Sequence, residues 1–254
     1  MNHSVAPTVG VWCLAVAAGL ASGASCAESL TREQIAQRVE SPGANLSNLE
    51  APGANLSGID FAGANLFGAN LKGADLSNAK LARCNLNVAI LRDAVLVNAD
   101  LRDAKLFSSI LANADLSRAD LRGARLVANL ERAKLEGANL EHVQGGADMR
   151  NQPMGLVRLM MAGARLKGAR LGQADLSRAD LSWADLREAD LSGVNLAKAK
   201  LVGADLTGAT LTNAILDGAE VHQTIFKDTV GIRTVRGLDT AEGRDSAIFD
   251  EAPQ

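Results

Sequence analysis

Aspartate is the residue type in this chain whose spacing most readily suggests chemistry. Asp115 and Asp120 are five residues apart, and Asp175 and Asp180 repeat the arrangement. Two carboxylates held close together can act as a general acid and a general base. Each of these aspartates directly precedes a leucine of a regular apolar pattern, so we expect it to point into solvent and to hydrogen-bond a turn. The pattern therefore predicts a surface role for the aspartates and no acid–base pair.

The other reactive side chains are few. His142 and His222 are far apart in the sequence and lack the close spacing of metal ligands. Cys84 is the one cysteine after residue 26, at a position that neighbouring units fill with alanine, so we expect a small buried thiol. The sequence predicts no catalytic residues, cofactor or metal site, and so a protein that is not an enzyme and acts through its surface.

The leucines define the elements that must position these side chains. Leucine recurs at every fifth position from Leu46 to Leu126, with two variants, and the pattern returns from Leu166 to Phe226. On a helix such leucines would spread around the axis, and on a straight strand they would alternate between faces. A chain that turns once per unit can bury all of them, and the frequent glycine two places after the leucine suits such turns. The spacing predicts a solenoid of stacked coils.

The units "ANLSG", "ADLSR", "ADLRG" and "ADLTG" resemble the A(D/N)LXX signature of the pentapeptide repeat family over about residues 44–226. The resemblance implies an all-β fold, a right-handed quadrilateral β-helix with four units per coil. Thr31 and Gln34 form a capping-box pattern that predicts a short helix. We therefore expect short helical or irregular caps around two blocks of repeats, with these boundaries: 28–43 N-terminal cap, 44–140 first block, 164–226 second block, 227–254 C-terminal cap or tail.

Residues 141–163 interrupt the pattern. The leucine after Leu126 is Leu130, one residue early, and the original phase returns at Leu166, forty residues after Leu126. Two interpretations stay open, two distorted coils or a mobile loop that bulges from the solenoid. The loop is favoured by residues that break regular structure, Gly145, Gly146 and Pro153.

Residues 1–27 are typical of a signal peptide. Val9–Leu20 is a short apolar run, and small residues at Ser25 and Ala27 suit cleavage after Ala27, although no Lys or Arg precedes the run. The run is shorter than the roughly 20 residues of a spanning helix. We expect a periplasmic or secreted mature protein without a membrane span. The alternatives are an uncleaved leader that anchors the protein in the membrane and a lipoprotein cut before Cys26.

One edge of the first block carries a predicted interaction surface. If four units make a coil, residues twenty apart stack, which places Phe67, Phe107 and Val127 on one side and Ile90 and Ile110 on the adjoining side, with Val88 near the same corner. Contiguous exposed apolar residues often mark binding sites. The same columns of the second block should carry Lys167, Arg187 and Thr207, so the apolar stripe should be local. The partner is an unknown protein, or a second copy bound through the solenoid ends or edges.

Charge separates the candidate functions. Residues 44–128 hold nine basic and eight acidic residues, residues 164–226 hold seven and eight, and the chain has a net charge of -3. A DNA mimic needs a continuous negative face and a nucleic-acid binder a positive one. We therefore expect a non-enzymatic scaffold that acts outside the cytoplasm through protein–protein interaction and binds no nucleic acid. The alternative, which the family resemblance implies, is a DNA-mimic inhibitor or protector of a type II topoisomerase.

Overall fold

Each five-residue unit forms one side and one turn of a four-sided coil. The computed structural model describes residues 30–41, 43–146 and 158–250, so the predicted leader with its predicted cleavage site, Pro153 and the last four residues lie outside the described residues. In the first turn the Leu49 N–H donates to the Leu46 carbonyl at 3.1 Å, and the third turn residue, Asn48, has φ 56°. This is the pattern of a type II turn, which requires a positive φ at its third residue.

Consecutive coils pair through single-residue parallel bridges on all four sides. On the first side, Asn45 bridges Asn65, which bridges Asn85, and each step is twenty residues. We name the sides A to D in chain order, starting with inward residues Leu46, Ala51, Leu56 and Phe61. Coils 1 to 9 are numbered by the outward bridge residue of side A, in the order Asn45, Asn65, Asn85, Lys105, Arg125, Gln144, Asp175, Asn195 and Ile215.

The interior consists of leucines and the small residues two places before them. Leu101 and Ala119 are fully buried, whereas the outward Asp120 retains 29% side-chain exposure. Burying one leucine stabilises the fold by roughly 1.5–3 kcal/mol, while ordering each residue costs roughly 1–2 kcal/mol of backbone entropy. A single coil is therefore close to balance, and stability must come from stacking many coils.

The N-terminal end carries the helix that the sequence predicts, α1, Arg32–Arg38. Thr31 and Gln34 form the expected capping box, and Ile35 is completely buried in the core. In later coils the side-C carbonyls accept N–H groups from the coil before, and coil 1 has no such neighbour. The Arg32 guanidinium takes that place, donating to the carbonyls of Asn55 at 2.8 Å and Ser57 at 2.7 Å.

The C-terminal end continues the stack with wider turns. The bridge steps lengthen from the regular 20 residues at Thr210–Val230 to 21 at Ile215–Arg236 and 22 at Glu220–Glu242. Two 3₁₀ helices, Ile232–Thr234 and Arg244–Ser246, lie in this segment. Strand β1, Ile225–Phe226, then pairs in parallel with β2, Ile248–Phe249. Within residues 30–41, 43–146 and 158–250, no helix is both long and apolar enough to span a bilayer.

Candidate interaction surface

The two irregularities in the middle of the described repeat fall on one corner of the solenoid. We define the A–B corner as the outward residue of side A, the two turn residues after the inward residue of side A, and the outward residue of side B. The bridge step from Ile110 to Asn129 is 19 residues, because the turn after Leu126 lacks one residue. The next step, from Asn129 to Met160, is 31 residues, because residues 147–157 are inserted in the same turn one coil later.

The chain keeps its interior intact on both sides of the insertion. Gly145 occupies an inward leucine position, and a Cβ there would lie only 2.8 Å from Cδ2 of Leu159. Leu159 occupies the position that alanine takes in other units, and it is fully buried. Gly145 and Gly146 therefore belong to coil 6, and the coils continue through residue 146 and resume at Arg158. The segment between them, including Pro153, lies outside the described residues.

Val88 is the most unusual backbone position on this corner. It is the second turn residue of coil 3, with φ 62° and 47% of its surface exposed. Its neighbours above and below in the same column are Gly68 and Ser108. A β-branched residue in the left-handed region is a genuine outlier, because the branched side chain is crowded there. The chain thus holds an exposed apolar side chain at a position where glycine would relieve the backbone.

Four further apolar side chains surround Val88. Phe67 is 44% exposed, and Phe107, two coils further, is partly buried with the Arg125 guanidinium 5.9 Å from its ring centroid. The Phe107 N–H donates to Oδ1 of Asn87, which stands between the two rings, at 2.9 Å. On side B, Ile90 and Ile110 bridge each other and are partly exposed. We call Phe67, Val88, Ile90, Phe107 and Ile110 the apolar cluster.

The prediction that Val127 extends this surface is wrong. Val127 does follow Phe107 in the column, and the Ser108 N–H donates to its carbonyl at 2.8 Å. Its side chain is only 4% exposed, however, and the next residue, Ala128, is 3% exposed. The shortened turn lacks the residue with positive φ, so the chain passes directly to side B, and Val127 is buried although it is not part of the leucine core.

The columns expected in the second block are also wrong. One missing residue and eleven inserted residues make a net gain of ten residues. Since each side has five residues, the second block is shifted by two sides of a coil relative to the expected columns. The column of Phe107 therefore continues through Ser177, Ala197 and Asp217, whereas Lys167 stacks on the opposite side of the coil, next to Gly137. Arg187 and Thr207 continue the Lys167 column.

The corrected register brings basic side chains onto the A–B corner. Arg158, Arg178 and Lys198 occupy its second turn position in coils 6, 7 and 8, and Lys200 is the outward residue of side B in coil 8. These four residues, the cationic cluster, line a cavity of about 360 Å³ together with Gly218, Glu220 and Glu242. Sequence reasoning missed this cluster. The four-residue step from Leu126 to Leu130 was a partial signal, since it requires a later insertion to restore the phase, and the bridges show that this insertion has eleven residues.

The repeat signature is recognised over most of the described coils. A family model described as pentapeptide repeats matches in eight copies, at residues 43–78, 69–106, 99–127, 161–193 and 189–228. The chain belongs to the pentapeptide repeat family. The family model leaves out the part of the chain that holds the short turn and the insertion, in agreement with the bridge pattern. A search of curated proteins finds no significant match.

Solved structures of other pentapeptide repeat proteins are similar to this chain. HetL from the cyanobacterium Nostoc sp. strain PCC 7120, involved in heterocyst differentiation regulation, is 29% identical over 86% of this chain and 94% of its own, with a TM-score of 0.36. Trypsin-treated QnrB1, a plasmid-mediated fluoroquinolone resistance protein, is 18% identical over 80% and 91%, with a TM-score of 0.34. A thylakoid lumen protein of Arabidopsis thaliana is 33% identical over 45% and 66%, with a TM-score of 0.27.

The aspartates of this pentapeptide repeat protein have a structural role. Oδ1 of each accepts the backbone N–H two residues later, at 3.1 Å for Asp115, 3.2 Å for Asp120, 3.0 Å for Asp175 and 3.1 Å for Asp180. These bonds fix the start of each turn. In the described part of the chain, no group of three or more His, Cys, Asp or Glu residues is placed to hold a metal ion.

Cys84 is the buried thiol that its position predicts. Its Sγ donates to the Phe61 carbonyl at 2.9 Å, and the residue is fully buried. Burial raises the pKa of the thiol to about 11, so it stays protonated and unreactive at neutral pH.

Trp183, at the corner between sides B and C, is 64% exposed and lines an open depression of about 620 Å³ with Arg92 and Arg132.

Proposed function

We propose that this protein is a non-catalytic scaffold that acts outside the cytoplasm and binds another protein through the A–B corner. The observation that carries the proposal is the apolar cluster, in which Val88 is exposed and held at φ 62°. A left-handed conformation costs about 1–2 kcal/mol for an L-residue, and exposed apolar groups gain nothing from water. Strain combined with exposure is a feature of binding sites, where a partner covers the apolar surface.

The composition of the cluster suits a protein partner. Phe67 and Phe107 supply the aromatic anchors that dominate protein interfaces, and Arg125 beside Phe107 adds a polar rim. The aromatic content of the whole chain is only 3%, so this corner holds a large share, two of the five phenylalanines of the chain. We take α1 and the C-terminal segment to cover the first and last coils, so a strand of a partner does not pair with the ends of the solenoid.

The compartment is part of the same proposal. The uncharged stretch up to Ala27 and its small residues support export and cleavage after Ala27. We also take the coil to be right-handed, as the family resemblance implies. N-terminal sequencing of the protein recovered from the periplasm or medium tests the export step, with Glu28 expected as the first residue. A first residue inside the leader, or a protein found only in the cytoplasm, would contradict it.

The surface charge gives little support to a topoisomerase protector. Three carboxylates of sides C and D are neutralised by arginines two residues later, and on side D these pairs are Asp100–Arg102 and Asp120–Arg122, both at 2.6 Å. On side C, Asp185 is paired in the same way with Arg187 at 2.7 Å. A phosphate mimic needs an uninterrupted row of negative charges, and alternating cations cancel its field.

The experiment compares two variants of the mature protein. Phe67→Ser/Phe107→Ser removes the aromatic part of the cluster, and Trp183→Ser/Val230→Ser removes two apolar side chains that are more exposed and lie outside the A–B corner. Each is cross-linked in the extracytoplasmic fraction and analysed by sedimentation, after melting curves show that it is folded. We expect a partner bound by wild type and by the control to be lost from the cluster variant. Equal capture by all three proteins would refute the A–B corner as the interface, and loss of a dimer would identify the partner as a second copy.

A further inference from the structure

We infer that the depression beside Trp183 binds a neutral carbohydrate, a chain of β-linked hexose units that stacks on the indole ring. The depression lies on the B–C corner, which we define as the outward residue of side B, the two turn residues after the inward residue of side B, and the outward residue of side C. Its lining residues all belong to turns of this corner, so the inference does not depend on the protein interface proposed for the A–B corner.

The chain presents Trp183 as an open aromatic surface. Trp183 is the second turn residue of coil 7, with φ 60°, a left-handed conformation that bulky residues rarely adopt. Its neighbours in the same column are glycines on both sides, Gly163 in coil 6 and Gly203 in coil 8. A Cβ on Gly203 would lie 2.4 Å from Cε3 and Cζ3 of the indole, so the ring rests on the backbone of coil 8. Because the residue is still 64% exposed, a ligand can stack on the indole from solvent.

The charged side chains that line the depression have no ionic partner in the described part of the protein. They are Arg92, Glu131 and Arg132. The other charged residues of the B–C corner from coil 3 to coil 7 are engaged, in the ion pairs Asp115–Lys134, Asp180–Arg158, Arg165–Glu136 and Asp185–Arg187 and in the hydrogen bond from Asn113 to Asp93. The unpaired groups supply both donors and an acceptor, which is what the hydroxyl groups of a sugar require.

The B–C corner is nearly neutral along its length. From coil 3 to coil 7 its four columns contain four cations and five carboxylates, and coils 2 and 8 each add one of both signs. The cations are Arg92, Arg132, Lys134 and Arg165, and the carboxylates are Asp93, Asp115, Glu131, Asp180 and Asp185. Such a surface does not concentrate phosphates or an acidic protein, both of which need a positive field. A ligand with many hydroxyl groups and no charge fits this balance.

The shape of the depression suits a linear chain. Its floor holds small residues, Ala112, Ala162 and Gly163, and its lining runs from Arg92 in coil 3 to Trp183 in coil 7. At about 4.8 Å per coil the site is about 19 Å long, which accommodates several sugar units. A β-linked hexose chain is extended and flat. Its C–H faces stack on an aromatic ring, and the hydroxyls at its edges bond planar groups such as guanidinium and carboxylate.

A protein segment or a lipid fits the depression less well. Trp183 is the one large apolar side chain among the described lining residues, so there is no pocket for a second apolar anchor. The turn N–H groups of Asn113, Arg132 and Gly163 already donate to carbonyls of the next coil, at 3.0, 3.0 and 2.9 Å. An extended peptide therefore finds no open strand edge to pair with.

The test titrates the mature protein with cellohexaose and chitohexaose, two neutral β-linked chains. Trp183 is its one tryptophan, so a change of fluorescence reports stacking on this ring, and calorimetry gives the affinity of each variant. Arg92→Ser/Arg132→Asn removes both guanidinium groups. The matched control Lys72→Ser/Arg83→Asn changes the same two turn positions outside the depression, and Arg83 has φ 59° where Arg132 has φ 56°.

A second pair of variants tests the position of the indole without removing it. Gly203→Asn displaces the ring, because its Cβ would lie 2.4 Å from two ring carbons. The control is Gly208→Asn, at the same turn position of the next corner, where a Cβ would lie 3.7 Å from Cγ of Glu188. Asparagine is tolerated at this position, since Asn213 adopts φ 58° there.

We expect wild type to bind at least one of the two sugars with a change of fluorescence. Arg92→Ser/Arg132→Asn and Gly203→Asn should each bind it at least about tenfold more weakly than their controls, because charged hydrogen bonds or the stacking surface are lost. Phe67→Ser/Phe107→Ser should bind it like wild type, which separates this site from the A–B corner. Binding of neither sugar by wild type, or equal losses in a variant and its control, would overturn the inference. Binding of oligogalacturonate in preference to both sugars would overturn the assignment to a neutral ligand.

Discussion

The exchange of residue sizes across the insertion can be reversed by mutation. Gly145 occupies an inward leucine position and Leu159 an alanine position, so the variant Gly145→Leu/Leu159→Ala restores the usual arrangement. The interior volume is nearly conserved, because a leucine is moved from one position to its neighbour and only a small residue is enlarged. We expect the double variant to be within about 1 kcal/mol of wild type in unfolding free energy, since volume-conserving exchanges are tolerated best.

Each single variant should be costly. Leu159→Ala leaves a cavity beside a residue without a side chain, which costs about 2–5 kcal/mol. Gly145→Leu places a Cβ 2.8 Å from Leu159 Cδ2, with the Asp175 and Leu126 carbonyls at 3.1 and 3.2 Å. Overpacking of this kind costs about 1–3 kcal/mol. Together with a nearly neutral double variant, these losses predict a coupling of at least about 2 kcal/mol between the two positions.

Urea unfolding of the protein without residues 1–27 measures the coupling. Trp183 is then the one tryptophan of the chain, and its fluorescence reports on coil 7, next to the exchanged pair. The control cycle combines Gly145→Leu with Leu101→Ala, whose side chain is buried several coils away, and its losses should add within about 0.5 kcal/mol. Additive losses for Gly145 and Leu159 would refute the reasoning, because the two positions would not share one interior space.

Three further outcomes are expected. Arg32→Ala should lower the unfolding free energy by about 1–2 kcal/mol in urea, because two carbonyls of coil 1 lose a charged donor, whereas equal effects of Arg32→Ala and the helix control Arg38→Ala would contradict that role. Cys84 should react with a thiol reagent at pH 8 only after unfolding, since burial raises its pKa to about 11; fast labelling of the folded protein would show that the thiol is accessible. The hydrogen bond from Arg187 holds the pKa of Asp185 below its usual value, so this pair stabilises the fold above about pH 4 and the contribution is lost as the pH falls further. The melting temperature of Arg187→Gln should therefore approach that of wild type below pH 4, and a gap that is constant with pH would rule out the ion pair as its cause.

The inward and outward positions were predictable because they depend only on the five-residue period. Every leucine and preceding small residue must point inward if the chain turns once per unit, and Leu101, Ala119 and Asp120 follow this rule. The helix at Arg32–Arg38 was predictable for a different reason, since the capping box of Thr31 and Gln34 is a local interaction. These features need no knowledge of which units become neighbours.

The order of the sides was not predictable in the same way. All four sides have leucine inside, so the sequence does not label a unit as belonging to side A or to side C. The return of the phase at Leu166 looks the same whether the intervening residues amount to whole coils or to half a coil more. The bridges show half a coil, which moves Lys167 to the opposite side and brings Arg178 into the column of Val88.

The same reasoning explains why the irregularities and the proposed interface coincide. A residue lost from or inserted into a side would expose leucines to solvent, whereas changes in a turn leave the inward positions unchanged. The missing residue after Leu126 and the insertion after Gly146 both lie in turns of the A–B corner, and the other three corners continue without interruption between coils 5 and 7. Between coils 5 and 7, variation in the backbone is thereby confined to one surface of the solenoid. A partner that follows this corner contacts the coils whose outer shape differs from the regular repeat, and this difference can distinguish the corner from three others built on the same plan.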